Sequence, residues 1–236
     1  MLNNLILLFS LEKGLLVNNI FVNVYKIIIK YFPLLMKGLG LTLLLSLLTV
    51  VFGAIVGFLI CLLTMSKNKV LKFIGSAYVE VIRGIPLLLQ LLVIYLIMPN
   101  SIDKFFSATL ALVINSGAYV AEIIRAGIQA VDKGQTEAAR SLGLNRMQTM
   151  RKIILPQAIK NILPAIGNEF ISLLKETSII GFLGVIDLTK AAERVISRTM
   201  NVYFPYISIA IVYLVLVYGL SYLLKLLERR LAKSDR

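Results

Sequence analysis

EAARSLGLNRMQTMRKIILP, residues 137–156, is the stretch whose surroundings decide the fold, because the rest of the chain reads as membrane and this piece does not. Its first part, Thr136 to Leu142, is small and helix-favouring with an acid, Glu137, in the first turn. Gly143 supplies a left-handed stop to that helix. Asn145 then caps a second helix, and Gln148, three residues on, is placed to bond back to the Asn145 amide as a capping box. Arg146, Arg151 and Lys152 make this second helix basic, and Pro156 marks its hand-over to the next apolar segment. The expectation is a basic helix, turn and helix set between hydrophobic spans.

Working outward, the chain has 236 residues, 58% of them hydrophobic, and a mean hydropathy of +0.87. Those values lie outside the range of soluble domains and indicate an integral membrane protein. The net charge of +13 would point to nucleic acid in a soluble chain; here it reports basic loops facing anionic lipid, and no nucleic-acid partner is expected. There is no histidine, and the lone cysteine, Cys61, sits in an apolar run. A zinc site, an internal disulfide or a Cys/His nucleophile therefore has almost nothing to be built from.

Upstream of the hairpin, residues 1–32 mix apolar runs with Glu12, Lys13, Lys26 and Lys30, and read as an amphipathic segment at the interface, with the membrane domain proper over 33–236. The first span is the uncharged run Gly38 to Ser66, in which Gly53 and Gly57 form a small-xxx-small pair. The second is interrupted by Glu80, Arg83, Gly84 and Pro86 before Leu87 to Met98. A helix broken at membrane depth must bury its freed backbone groups in protein or face a cavity, which points to a transporter rather than an anchor. The third span, Phe105 to Ala130, carries Asn115, Tyr119, Glu122 and Gln129 along one stripe, with Arg125 one turn beyond Glu122. An unpaired carboxylate there costs on the order of 3 kcal/mol, so Glu122 is either functional or paired.

Downstream, Gln157 to Leu174 reads as a short fourth span interrupted by Pro164, Gly167, Asn168 and Glu169, with Lys175, Glu176, Thr177 and Ser178 packed behind it. Ile179 to Tyr203 reads as a connector bearing a surface helix, and Thr199 to Leu224 as the fifth span before a basic tail. Lys and Arg concentrate in the first loop, the hairpin and the tail. Five spans then place the N-terminus outside and the hairpin in the cytoplasm, where it is positioned to dock something.

These residues resemble a known family. Glu137-Ala138-Ala139, then Gly143, Ile153 and Leu155-Pro156 at the spacing of this chain, match the EAA signature of ABC importer permeases. Arg83-Gly84-Ile85-Pro86-Leu87 is similar to the family's RGTPLL, with Ile85 in place of Thr. Residues 118–128, AYVAEIIRAGI, and 173–178, LLKETS, resemble its polar amino acid uptake branch, and the likeness extends from about Phe32 to the C-terminus. The resemblance implies an all-α permease fold of five transmembrane helices in the cytoplasmic membrane. It implies a second permease subunit, either a further copy of the chain, as in a homodimer, or a different permease, and an external solute-binding protein. It also implies two ATPase subunits that bind ATP and Mg and grip Glu137, Ala138, Ala139, Arg140, Gly143, Leu144 and Arg146. This chain has no GxxxxGK[ST] phosphate loop, so it is expected to hold no cofactor and to hydrolyse nothing itself.

Within the spans, hydrogen-bonding groups for an amino acid's carboxylate and ammonium are offered by Asn115, Ser116, Tyr119, Thr177 and Ser178, with negative charge from Glu122 and Glu169. Two acids and no histidine favour a cationic side chain on the cargo. Alternatively the acids are structural partners of Arg125 and Lys175, which with Arg83 and Pro86 form scaffold, and selectivity resides in the external protein. A DNA reader would sit against the bilayer, a channel would need a filter loop, and an enzyme would need a catalytic constellation; none is found. A proton-coupled carrier using Glu122 or Glu169, independent of ATP, is the alternative from another class.

Overall fold

The computed structural model describes residues 2–233, with side-chain placement for residues 25–231 other than residue 28. The described residues form nine α-helices, one π-helical and one 3-10 stretch, and no strand. Helix α1, Leu2–Thr64, runs without interruption through Pro33. Its apolar part, Ile29–Thr64, has 36 residues, about 54 Å of helix against a hydrocarbon layer of about 30 Å. The first span thus begins upstream of Gly38. The side chains of most of the expected interfacial segment, residues 1–24, lie outside the described residues.

Asn68 caps α2, Lys69–Gly84, by accepting from the amides of Val70 and Leu71. The chain then turns by 107° into α3, Leu87–Ile97. Pro86 lacks an amide and cannot continue α2, and Ile85 before it is held extended. Helix α4, Lys104–Gln129, is the most enclosed span: 61% of its most apolar window is buried. It packs against α1 so closely that a Cβ on Gly57 would lie 2.7 Å from the Val120 Cβ and one on Gly53 would lie 2.9 Å from the Ser116 Oγ. The Gly53/Gly57 pair is therefore a close helix contact, in which only glycine fits at position 57 because a Cβ there would also lie 2.9 Å from the Ala121 amide nitrogen.

The hairpin is α5, Lys133–Ser141, followed by α6, Arg146–Thr149. The sequence places the end of the second helix at Pro156, but the helix continues. A π-helical turn, Met150–Ile154, joins α6 to α7, Leu155–Glu176, and the Leu155 amide bonds back to Met150 O. Proline removes one donor and crowds the carbonyl a turn earlier; the wider π-turn absorbs both without ending the helix. Helix α7 likewise runs on through Pro164, so the expected break within this segment is absent, and the helix changes character only at the 3-10 stretch Thr177–Leu183.

Helix α8, Leu188–Thr199, is not a surface helix. Leu188, Ala191, Ala192 and Val195, at helical spacing, are essentially fully buried between α1 and α9, Tyr203–Lys233. The charges that suggested exposure, Lys190, Glu193, Arg194 and Arg198, occupy the other side. Among the described residues three helices, α1, α4 and α9, are long and apolar enough to cross a membrane, and a fourth crossing arises if the bent α2–α3 pair is one span. The segment expected as the fourth span, α7, has the length, but Lys160, Asn161, Asn168, Glu169, Lys175 and Glu176 dilute its apolar content.

Candidate functional site

Two places hold the residues that chemistry singles out. The first is the hairpin. The Asp132 carboxylate caps α5 through the Gly134 amide at 2.7 Å, and α5 closes where the amides of Leu142 and Leu144 reach Ala138 O and Ala139 O. The second of these bonds spans six residues, the Schellman pattern, and needs a left-handed residue at Gly143, whose φ is +84°. Asn145 and Gln148 exchange side-chain to backbone bonds at 2.9 Å each, completing the capping box at the start of α6. Ala139 is buried, while Glu137, Ala138, Arg140, Gly143 and Arg146 are exposed and Leu144 is half-buried. Leu142 is 84% exposed and Met147 74% exposed. Leu142 and Met147 are thus left exposed beside Arg140 and Arg146 on a hairpin closed by its own caps.

The second place is a cleft of about 530 Å³ between the end of α1, α2 and the last turns of α4. Lys72, Glu80, Arg83, Glu122, Arg125 and Gln129 line it. The Arg125 guanidinium grips Glu122 with two bonds, Nε to Oε2 at 2.9 Å and Nη2 to Oε1, and spends Nη1 on Gln129 Oε1 at 2.8 Å. The stripe on α4 thus satisfies its own charge. Arg83 lies over the Tyr119 ring, 5.1 Å from its centre, a cation–π contact that holds α2 to α4.

The remaining candidates fall elsewhere. Ser116 donates to Glu169 Oε1 at 3.0 Å, tying α4 to α7, and Asn115 beside it is buried. The Thr177 and Ser178 hydroxyls donate to Leu174 O and Lys175 O of the preceding turn. Lys175 and Ser178 line a separate groove with Thr189, Tyr206 and Tyr213. Asn115, Ser116, Tyr119, Glu122, Glu169, Thr177 and Ser178 are therefore not gathered in one chamber.

Gln90 went unnoticed in the sequence. It is buried, and its Nε2 donates to Ile82 O at 2.6 Å and Ile85 O at 2.7 Å, the carbonyls freed where α2 stops. Its signal was there: Gln90 is the one polar amide in the apolar run Leu87–Ile97. Pro86 is the residue before the first turn of α3.

Residues 49–233 match the family described as the binding-protein-dependent transport system inner membrane component. The chain belongs to that family. It is accordingly a multi-pass inner-membrane permease of an ABC importer, in which ATP hydrolysis belongs to a separate subunit and a binding protein presents the cargo. The permease is 42% identical over 217 residues to the putative glutamine transport system permease protein GlnP of Rickettsia bellii, covering 89% of this chain and 100% of that one. It is 41% identical over 207 residues to the arginine transport system permease protein ArtQ of Bacillus subtilis, covering 86% and 94%. A crystal structure of an amino acid ABC transporter with histidines superimposes with a TM-score of 0.83 at 52% identity, covering 86% of this permease and 96% of that chain. The inward-facing MetNI methionine transporter shares the fold at a TM-score of 0.70 and 23% identity, covering 85% and 97%.

Proposed function

We propose that this permease moves a polar amino acid into the cell as one of two copies in a homodimer, driven by two ATPase subunits that hold ATP and Mg and seize the α5–α6 hairpin. The observation that carries this reading is the hairpin itself, with Leu142 and Met147 exposed on a locally rigid frame at the junction of α4 and α7. In the same reading the hairpin end is cytoplasmic, the N-terminus is outside, and α7 with the α2–α3 pair completes five crossings. Glu137, Ala138, Ala139, Arg140, Gly143, Leu144 and Arg146 form the coupling face, and Ala138 and Ala139 stay small for close approach.

The cargo path runs along the α4 face that carries Tyr119 and Glu122, with Ser116, Asn115 and Glu169 at its flank and Thr177, Ser178 and Lys175 towards the far end. Since Glu122 is committed to Arg125, the cleft by itself does not single out a cationic side chain. The glutamine and arginine systems named among the relatives define the cargo class to test. The test is reconstitution of the permease with its ATPase in proteoliposomes, with the binding protein outside, and measurement of labelled L-glutamine and L-arginine uptake. ATP-dependent uptake of one of them is expected. Uptake by the permease alone, driven by a proton gradient and indifferent to ATP, would overturn the reading in favour of a carrier.

A further inference from the structure

The charged groups of the cleft are not equivalent. Glu122 and Arg125 are spent on each other and on Gln129. Glu80 and Arg83, one helical turn apart on α2, would ordinarily pair across that turn. No ion pair or hydrogen bond joins either of them to any described residue; both are exposed to the cleft, and Arg83 rests on the Tyr119 ring instead. A carboxylate and a guanidinium with no hydrogen-bonded partner among the described residues, the guanidinium stacked on Tyr119 and within reach of the Glu122 charge that Arg125 already offsets, stand on one wall with opposite signs and complement a zwitterion. The guanidinium fork suits a carboxylate in two-bond geometry, and the glutamate suits an ammonium.

What fixes this wall is the bend. Arg83 is the last residue but one of α2, and the chain turns by 107° directly after it. The two carbonyls left open at that turn, Ile82 O and Ile85 O, both accept from the Gln90 Nε2, so one buried amide clasps the end of the helix that carries Arg83. Ile82 is the immediate neighbour of Arg83. Loss of the clasp frees the last turn of α2 and lets the guanidinium leave the Tyr119 face. A binding group held by packing and by bonds behind it binds tighter than a free one, because less freedom is lost on capture.

We propose that Arg83 and Glu80 form a receptor for the α-carboxylate and α-ammonium common to all amino acids, and that Gln90 is its positioning residue. This rests on the proposed function and adds to it the part of the cargo that the permease reads: the backbone of the amino acid, leaving side-chain choice to the binding protein. Glu122, on this assignment, lines the path but is held by Arg125 and supplies no bond to the cargo.

The experiment is calorimetric binding to the permease–ATPase complex without the binding protein, using L-arginine and L-glutamine, each beside its decarboxylated amine. The parent complex should bind both amino acids with similar affinity and bind each amine at least about tenfold more weakly, the scale of one lost charge-assisted contact. Arg83→Gln should erase the preference for the carboxylate, and Arg83→Lys should restore part of it. Gln90→Met, which keeps the volume without the donor, should weaken the amino acids while leaving the amines unchanged, and should add nothing to Arg83→Gln. A simply misfolded Gln90 variant would lose ATPase association and bind neither. Equal binding of amino acid and amine by the parent, no binding by a parent complex that transports, or an Arg83→Gln protein that still discriminates would each overturn the assignment. ATP-dependent uptake measured on the same preparation separates this from failure of the proposed function, since only the latter removes uptake by the parent.

Discussion

Two polar helical elements connect spans in this permease, and they end up in opposite surroundings. In α8 the row Leu188, Ala191, Ala192, Val195 is almost wholly buried against α1 and α9, and the Leu188 amide donates to Thr42 Oγ1 at 3.2 Å. In α5 and α6 only Ala139 and Thr149 are buried, and Leu142 and Met147 stand in the open. Both elements are amphipathic in sequence. The difference is whether the chain itself covers the apolar side chains: α8 is covered by α1 and α9, whereas the hairpin, closed by its own caps, leaves Leu142 and Met147 exposed, and on the proposed function their partner is the ATPase. Stability should therefore reside in one and coupling in the other.

The most severe way to break this contrast is Leu142→Asp with Met147→Asp. Both side chains are exposed, so the melting temperature of the isolated permease in detergent should move no more than surface substitutions do, within about 0.5 kcal/mol. Charged groups buried at the interface should abolish co-purification of the ATPase and all ATP-driven uptake. Retained coupling would mean that the hairpin is not the docking surface. The mirror experiment is Leu188→Ala, which opens a cavity in a site with no exposure and should cost about 2–5 kcal/mol of stability. Thermal unfolding followed by tryptophan-free near-UV absorbance of the tyrosines would register it, and ATPase association per folded molecule should not change.

Why one partner was legible in the sequence and the other was not follows from the range of the forces involved. The Gly143 stop and the Asn145–Gln148 box depend on residues within a turn of each other, so spacing alone discloses them. The uncharged runs of α1 and α4 and the break at Gly84–Pro86 are equally local. Burial of α8 depends on Leu35 and Leu39 of α1 and Ile209 of α9, far away in the chain, and its alanines give no hydrophobic signal strong enough to outweigh Lys190, Glu193, Arg194 and Arg198. The continuity of α7 through Pro156 was hidden for another reason: a π-turn has no residue code, and proline spacing reads the same whether a helix ends or widens. The site was half legible. The α4 stripe was visible as a stripe, but that Glu122 and Arg125 cancel, and that Gln90 closes the bend, requires knowing which groups meet.

A subtler probe uses Asp187, which lies in the connector outside the spans. It caps α8 by accepting from the Lys190 and Thr189 amides at 2.8 and 3.2 Å, yet it is fully buried. Burial outweighs those bonds and raises its pKa from 3.8 to about 6. A carboxyl whose folded pKa is raised contributes stability that is complete below pH 3.8 and lost as pH rises through about 6. The parent should therefore lose up to about 3 kcal/mol across that window. Asp187→Asn keeps a competent cap and removes the titration, so its stability profile should be flat there and exceed the parent's at neutral pH. Identical pH profiles for the two proteins, measured by chemical denaturation in detergent, would show that the buried carboxyl is not the source.

The smallest and most discriminating test compares how the two elements end. Helix α5 stops at Gly143, φ +84°, and α8 stops at Met200, φ +54°, the one described non-glycine residue in the left-handed region. A Cβ costs roughly 1 kcal/mol or somewhat more in that conformation. Around Gly143 a Cβ would meet nothing within 4 Å, so Gly143→Ala adds backbone strain without collision, and Met200, 86% exposed, surrenders little packing to Met200→Gly. The two substitutions should therefore act with opposite signs and on different readouts. Met200→Gly should raise the melting temperature of the permease slightly and leave coupling untouched, the relief of strain offset in part by the freer unfolded chain. Gly143→Ala should hardly change the melting temperature but weaken the ATPase complex by roughly 5- to 10-fold, as the Schellman turn loosens and the Leu142–Met147 pair loses its frame. Gly143→Asn, which tolerates the left-handed region, should recover most of that loss. If Gly143→Ala instead lowers global stability and spares the complex, the hairpin is part of the fold in the same sense as α8, and the division between a self-partnered helix and a partner-seeking one does not hold.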